Sequence, residues 1–345
     1  MNGISLAPIG LLLIVACLIA MLTRRLGLPY IVGLVAAGFL IAFLPHSPNL
    51  PLSRQLIFNI LLPPLVFEAA LQLNWRRFRH ELPLTLTLAF AGVAIATIVV
   101  GAGMHWIAGW SWIGAALFGV LISATDPVSV IAAFREMGCL PRVSMVVEAE
   151  SLLNDGVAAV GFVVISAIAA GGNPGLETME LSFLWTLFGG LAIGLAISGA
   201  ILLIVGRTDD PLVEITLTTI AAYASFLIAE RFYASGIISA LAAGLMIGSA
   251  GSRFLSRESR ERVHGAWEYF AFLANSFVFI LIGMNIANQP LHRLGAGAAA
   301  SAIILTAFVV VAFSILVQGL TMPLLIKRLE LSRKAPVEAV AAPQS

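Results

Sequence analysis

The stretch IVGLVAAGFLIA at residues 31–42 is matched without gaps by IISALAAGLMIG at residues 237–248. Five of the twelve positions are identical, most other pairs are apolar, and the offset is 206 residues. Among the apolar segments given below, the two copies are the second and the ninth, so they cross a bilayer in opposite directions. An inverted repeat of this kind is typical of secondary transporters whose binding site lies near mid-membrane. The alternative is two unrelated Gly/Ala packing faces, because small residues match each other easily.

The composition excludes a water-soluble globule. Of the 345 residues, 60% are hydrophobic and 11% are charged, whereas roughly 25% are charged in an average soluble domain. We therefore predict an all-α polytopic membrane protein surrounded by lipid, an inverted-repeat transporter bundle with a broken helix at its ion site. A net charge of +1, without a basic run interleaved with aromatic residues, argues against nucleic acid as a partner.

Eleven apolar segments come near the roughly 20 residues that a membrane-spanning helix needs. They run over residues 6–22, 28–44, 55–73, 82–108, 112–134, 143–170, 181–206, 211–229, 233–250, 267–287 and 295–326. Polar joints rich in helix breakers separate them, among them residues 207–211 and 251–265, which we expect to be loops. The sequence thus predicts about 11 transmembrane helices.

The basic residues predict the orientation. If the segments alternate across the bilayer, one face receives 16 of the 19 Lys and Arg residues, and the other receives Arg54, Arg231 and Arg293. The positive-inside rule makes the first face cytoplasmic. We expect a multi-pass protein of the cell (plasma or inner) membrane with its N-terminus outside and its C-terminus in the cytoplasm. No basic region precedes the first segment, so we expect it to stay as a membrane helix.

The repeat also predicts the domain organisation. We expect a single membrane domain over residues 1–345, with a first repeat of six spans at 1–170, a linker span at 181–206 and a second repeat at 211–330. Adding the offset to Asp155 gives position 361, so we expect the second repeat to be incomplete by about one helix.

Ionisable residues inside membrane spans are costly and are functional candidates by default. Asp126 lies in ISATDPVSV at residues 122–130, where Pro127 removes a backbone donor and disfavours helical geometry at Asp126. We expect a broken helix whose freed carbonyls, with Thr125 and Asp126, make a cation site of hard oxygens. The alternative is a plain proline kink capped by Asp126.

The next span contains EAESLLNDGVA at residues 148–158. Glu150 and Asn154 are four residues apart, as are Ser151 and Asp155, while Glu148 and Asp155 share a face. We expect three carboxylates, a hydroxyl and an amide to point toward the bundle interior. Asp126 and Asp155 both fall about 13 Å from the cytoplasmic ends of their spans, so they can meet. A polar helix interface without transport is the alternative.

Two neighbouring buried carboxylates favour a proton-linked cation site, because desolvation and like charge both make a carboxylate hold its proton. Asp155 would release that proton when a cation replaces it. Glu68, below a double proline in LPPLVFEAALQLN at residues 62–74, either completes the cation shell, lines the funnel that leads to it, or snorkels to the interface. Glu214 and Glu268 lie near span ends, and we expect them to reach the interface.

At these residues the chain resembles the sodium/proton antiporters of the NhaP type and the eukaryotic sodium/proton exchangers. The matching motifs lie at Thr125 to Pro127, Glu148 to Gly156, Phe67 and Glu68, Asn275 and Ser276 with Gly283, and Gln318 to Thr321. They follow the family's order over residues 10–330.

The resemblance implies specific roles. Asp155 would carry the cation and the proton in alternation, and Na⁺ would bind Asp155, Ser151, Glu68 and the backbone of Thr125. Asp126 would act nearby, and Asn154 in place of a second aspartate is the family's mark of electroneutral exchange. The resemblance further implies a homodimer in which a core bundle moves against a dimerisation domain, with no cofactor beside the transported Na⁺, Li⁺ or K⁺ and H⁺.

The chain departs from the family's pattern in its second half. The family's arginine-bearing helix and its Gly-Gly-Leu-Arg-Gly-like broken helix have no counterpart, and no arginine occurs between Arg293 and Arg328. Glu150 would then lack the arginine that neutralises it. One alternative to an antiporter is therefore a shortened family member without transport, which has a structural or regulatory role. Another is a proton or cation channel. An enzyme is not expected, because no nucleophile–base constellation, phosphate-binding loop or His/Cys metal spacing occurs.

Overall fold

The computed structural model describes residues 6–26, 30–43, 54–73, 75–125, 141–169, 181–208, 210–254 and 257–287, and these ranges contain no strand. The helices in chain order are α1 (Leu6–Leu26), α2 (Tyr30–Ala42), α3 (Arg54–Leu56, Ile57–Leu61 and Leu62–Gln72 in succession), α4 (Trp75–Ala108), α5 (Trp112–Ser123), α6 (Pro141–Ala169), α7 (Leu181–Val205), α8 (Pro211–Arg231), α9 (Gly236–Phe254) and α10 (Arg257–Ala287).

These helices confirm the predicted membrane bundle. Within the described ranges, six are long and apolar enough to cross a membrane, and four shorter apolar helices accompany them. All ten coincide with predicted spans. The eleventh predicted span, 295–326, lies outside the described residues.

Two helix starts differ from the prediction. α4 begins at Trp75 and not at residue 82, and α10 begins at Arg257, inside the stretch 251–265 that was expected to be a loop. The first turns of both helices are charged, and Glu258 forms an ion pair of 2.7 Å with Arg262 four residues later. Hydropathy detects only the part of a helix that lies in lipid, whereas these helices continue beyond it.

α3 is irregular where its two prolines occur. Ile57–Leu61 is π-helical, and the α-helix Leu62–Gln72 that follows has proline in its first turn. A proline costs little there, because the first N–H groups of a helix have no partner within that helix. The wider π-helical turn therefore accommodates the backbone hydrogen bonds that the prolines cannot make, and the chain is regularly α-helical again at Glu68.

Several pairs of described helices touch backbone to backbone at glycine, and two of them are α2–α10 and α3–α9. A Cβ added at Gly38 of α2 would fall on the carbonyl group of Ile280 in α10, and one added at Gly244 of α9 would meet the carbonyl oxygen of Phe67 in α3. Gly283 and Gly248 repeat these contacts against Val35 and Leu71. We call the α2–α10 and α3–α9 contacts the glycine seams. Close helix approach through small residues is typical of membrane bundles.

The seams are related by the sequence repeat. Gly38 and Gly244 are equivalent at the offset of 206 residues, and each lies against a helix that the prediction assigns to the other repeat. This reciprocity supports the inverted repeat. The boundaries 1–170, 181–206 and 211–330 stay a prediction, and residues 288–330 lie outside the described part.

α3 lies between two apolar clusters. On one side Phe67 and Leu71 pack around Trp267 with residues of α7, α8 and α9. On the other, Val66 and Ala70 pack with Ala149 and Leu152 of α6. α3 is thereby joined to α6, the helix that carries most of the predicted site residues.

The expectation for Glu214 was wrong, since this residue is buried with 1% of its surface exposed. It lies in the first turn of α8. The sequence indicated how near the span end Glu214 lies, but not which way its helix face is turned. Glu268, which was expected to reach the interface, is exposed.

Candidate ion-binding site

The site begins where α5 ends. Ser111 caps the start of this helix by accepting a hydrogen bond from the Gly114 N–H, and the helix ends at Ser123. Ala124 is extended, with φ −65° and ψ 121°. The break predicted beside Asp126 therefore starts three residues before it. Asp126 and Pro127 themselves lie outside the described residues.

Two side chains of α6 hold the broken end of α5. The Ser151 hydroxyl donates to the carbonyl oxygen of Thr125. The Asn154 amide Nδ2 donates to the Ser123 carbonyl oxygen at 2.9 Å and to Thr125 Oγ1 at 3.3 Å. Ser151 and Asn154 are three residues apart and so lie on one face of α6. These bonds satisfy carbonyl groups that the end of α5 leaves without helical partners.

The arrangement leaves oxygen atoms available to a cation. Because Ser151 uses its proton toward Thr125, the lone pairs of its oxygen stay free to coordinate. Asn154 Oδ1 is buried and has no hydrogen-bond partner in the described part of the chain. Leaving such an acceptor unsatisfied costs about 1–3 kcal/mol. Hard oxygens of this kind suit alkali cations, in keeping with the donor set predicted from Ser151 and Thr125.

Burial differs between the polar residues of α6. Ser151 and Asn154 are each 3% exposed, whereas Glu148, Glu150 and Asp155 are only partly buried. The sequence pattern predicted that all five point to the interior. The fully buried positions belong to the hydroxyl and the amide, and the carboxylates lie toward the edge of the helix contact.

Glu68 lies in α3, the helix that packs against α6. It is partly buried, and its Oε1 accepts a hydrogen bond from Gln72 Nε2 one turn later. Its predicted roles, as part of the cation shell or of the funnel, both stay predictions. Gln72 and the carbonyl of Ser123 were not singled out from the sequence. The spacing of four residues was a signal for Gln72, but no pattern indicates which carbonyl a distant amide will bind.

The sequence profile of the transmembrane sodium/hydrogen exchangers matches residues 11–322. This chain belongs to the sodium/hydrogen exchanger family. The match covers every described helix from α2 to α10 and most of α1. A family of exchangers agrees with the expectation that the chain is not an enzyme.

Two similar relatives are named Na⁺/H⁺ antiporters. The Na⁺/H⁺ antiporter ApNhaP of Aphanothece halophytica is 40% identical over 270 residues, which are 78% of this chain and 52% of the relative. The low-affinity Na⁺/H⁺ antiporter NhaS1 of Synechocystis is 38% identical over 267 residues, 76% of this chain and 50% of that protein. The chain spans about half the length of these curated relatives.

The fold agrees with that of a solved sodium/proton antiporter. The sodium proton antiporter MjNhaP1 from Methanocaldococcus jannaschii at pH 8 superposes with a TM-score of 0.68 at 20% identity. The alignment covers 90% of this chain and 77% of MjNhaP1. At this identity the likeness concerns the fold, an all-helical membrane bundle.

Other motif residues of the family have packing contacts here. The Ser276 hydroxyl in α10 lies 2.7 Å from the Tyr30 hydroxyl at the start of α2, and Gly283 belongs to a glycine seam. These residues join α2 to α10. The motif from Gln318 to Thr321 lies outside the described residues.

Proposed function

We propose that this chain is a secondary active transporter that exchanges Na⁺ for H⁺ across the cell membrane, electroneutrally and by alternating access. The observation that carries the proposal is the broken end of α5, whose carbonyls are held by Ser151 and Asn154 in a member of the sodium/hydrogen exchanger family. The relatives named Na⁺/H⁺ antiporters support the choice of ions.

In the proposed mechanism, Na⁺ binds Asp155, Ser151, Glu68 and the backbone carbonyl of Thr125. Asn154 holds the broken helix end at the distance that the ion requires, and Asp126 acts nearby through water. Sodium and a proton compete for Asp155, since a carboxylate in a poorly solvated site is stabilised by either ion, whereas its uncompensated charge is unfavourable there. Glu148, Glu150 and Pro127 support the site.

Exchange follows from this competition if the site can turn to the other side of the membrane only when it holds Na⁺ or a proton. One cation then leaves for each proton that enters, which contributes to pH homeostasis. Asn154 supports a one-for-one stoichiometry, because an amide in place of a second carboxylate carries no additional proton.

Everted membrane vesicles test the proposal. Adding Na⁺ should dequench a pH-sensitive dye in vesicles that contain the chain, and Asp155→Asn should reduce the signal to that of empty vesicles. Glu258→Gln is the matched control, since Glu258 is an exposed carboxylate at the start of α10, and it should leave the signal unchanged.

Three outcomes would overturn the proposal. Equal signals from wild type and Asp155→Asn would remove Asp155 from the mechanism. No exchange by the wild-type chain would favour the transport-inactive alternative, and conductance without countertransport would favour a channel.

The orientation and the assembly are part of the same proposal. We infer a cytoplasmic location for the charged starts of α4 and α10, with the N-terminus outside and the C-terminus inside, and a homodimer surrounded by lipid. Single cysteines at exposed helix ends, labelled with a membrane-impermeant reagent, would test the orientation. Light scattering of the purified protein would test the dimer.

A further inference from the structure

An ion pair joins the start of α6 to α4. Arg142, in the first turn of α6, contacts the Glu81 carboxylate through two nitrogens, with Nε 2.6 Å from Oε1 and Nη2 2.9 Å from Oε2. Two bonds of this kind fix the relative orientation of the groups as well as their distance. The Glu81 side chain is 13% exposed and that of Arg142 is 72% exposed. Glu81 is thus a carboxylate with little access to water, and the guanidinium compensates its charge.

The residues next to this pair form an apolar contact between the same two helices. Phe78 and Leu82 of α4 belong to one cluster with Met145 and Ala149 of α6. Burial of apolar surface is non-directional, whereas the two bonds of the ion pair require one relative position of the groups that form them. The pair therefore adds a directional constraint at the start of α6.

α4 also holds α5, the other helix of the candidate site. A Cβ added at Gly119 of α5 would lie 2.6 Å from the Thr97 carbonyl oxygen of α4, so the two backbones touch. Gly119 lies about one turn before Ser123, where α5 ends. Both halves of the site are therefore attached to α4, since a backbone contact holds α5 and the ion pair holds the start of α6.

The polar residues of α6 lie between two attachments. Ala158, about one turn after Asn154, packs in an apolar cluster with residues of α4 and α5. At the other end, Arg142 precedes Ser151 by about 14 Å along the helix. Because the rise per residue of a helix is fixed, a shift of α6 at Arg142 would carry Ser151 and Asn154 with it. Their donors would then no longer match the carbonyls at the end of α5 that they now bind.

We propose that Glu81 and Arg142 are positioning residues for cation exchange. Their ion pair sets the position of α6 along α4, and thereby the distance between the polar side chains of α6 and the open carbonyls of α5. Neither residue is itself a ligand of the cation, and both act through Ser151 and Asn154. This role rests on the proposed function, because it requires α6 and the end of α5 to form the cation site.

Neutral substitutions at both ends of the pair test the role. We expect Glu81→Gln and Arg142→Gln each to raise the KM for Na⁺ about threefold to tenfold, because each ion must first bring the displaced donors back into place. The maximal rate in everted vesicles, divided by the amount of monodisperse protein, should stay within about twofold of wild type. Arg262→Gln is the matched control, since it breaks an exposed ion pair within α10, and its KM should equal that of wild type.

The signs of the two effects separate positioning from surface charge. If the two residues acted only by attracting or repelling Na⁺ near the membrane, Glu81→Gln would raise the KM and Arg142→Gln would lower it. Positioning requires both substitutions to raise the KM, and their combination to raise it no further than one alone. A merely structural pair would reduce the amount of folded protein and leave the KM of the remainder unchanged.

The outcomes distinguish this role from the proposed function. Suppose that the wild-type chain exchanges Na⁺ for H⁺. Effects of opposite sign, an unchanged KM in either Gln variant, or additive effects in the double variant then overturn the role of the pair and leave the function standing. No exchange by the wild-type chain overturns the proposed function, and the role of Glu81 and Arg142 with it.

Discussion

The end of α5 and the glycine seams hold helices together in opposite ways. At the end of α5 the helix stops, and side chains from α6 bind the carbonyls that it leaves open. At the seams the helices continue without a break, and their backbones touch because a Cβ is absent. At the end of α5, side-chain hydrogen bonds hold the helices together, and an ion could replace those bonds. At the glycine seams, which no ion needs to enter, steric contact holds the helices together.

This difference predicts which substitutions affect stability and which affect transport. A change in a seam should reduce the amount of folded protein before any effect on exchange can be measured. A change at the end of α5 should reduce exchange in protein that still folds.

The largest expected effect is that of Gly38→Val. The added side chain would overlap the Ile280 carbonyl, so α2 and α10 must separate, at a cost of about 3 kcal/mol or more. We expect loss of most monodisperse protein in fluorescence-detected gel filtration. Gly92→Ala in α4 is the control, since a Cβ there meets nothing within 4 Å, and it should be as stable as wild type or slightly more so. A stable Gly38→Val would show that the seam is not tight.

Asn154→Ala should be the most damaging change at the end of α5 that leaves the protein folded. It removes both bonds of Nδ2 and leaves the buried Ser123 carbonyl without its donor. We expect a loss of about 2–3 kcal/mol in stability and a fall in exchange of about tenfold or more. Asn59→Ala, which removes an exposed asparagine in α3, should change neither thermal unfolding nor dye dequenching. Exchange at the wild-type rate by Asn154→Ala would contradict the site.

Ser151→Ala removes one bond to the end of α5 and one predicted ligand. We expect a stability loss of about 1–2 kcal/mol and a KM for Na⁺ about threefold to tenfold higher. Ser198→Ala is the control, because this buried serine bonds to the Gly194 carbonyl of its own helix at 2.7 Å. Both variants should lose comparable stability, but only Ser151→Ala should raise the KM for Na⁺. A raised KM in Ser198→Ala as well would show that the effect is not specific to the end of α5.

Thr218→Val should have the smallest effect. It leaves the buried Trp267 Nε1 without the acceptor that now lies at 3.1 Å, at a cost of about 1–2 kcal/mol. We expect a melting temperature a few degrees lower and an unchanged KM for Na⁺. Thr216→Val, where the hydroxyl is exposed and bonds within its own helix, should show neither change. An altered KM in Thr218→Val would extend the site into α8.

The sequence predicted the broken helix because its cause is local. A proline after Asp126 and freed carbonyls in an apolar span require polar partners, and the polar pattern at residues 148–158 supplied them. α5 ends at Ser123, as a break there requires, and α6 places Ser151 and Asn154 against that end. The roles of Asp155, Thr125, Ser151 and Glu68 as cation ligands stay predictions.

Other features depend on contacts between distant segments and could not be predicted from local patterns. The burial of Glu214, the exposure of part of Asp155 and the contact of Gly38 with Ile280 are set by how helices turn and cross. The early start of α10 was missed for another reason, since its charged turns resemble a loop to any hydropathy criterion.

The glycine seams can form only late in the synthesis of the chain. Gly38 and Ile280 are about 240 residues apart, and at roughly 5–20 residues per second a ribosome needs about 10–50 seconds to make the intervening chain. α2 and α3 therefore enter the bilayer long before α10 and α9 exist. During that interval their small, flat faces are open to lipid, to chaperones and to the corresponding faces of neighbouring nascent chains.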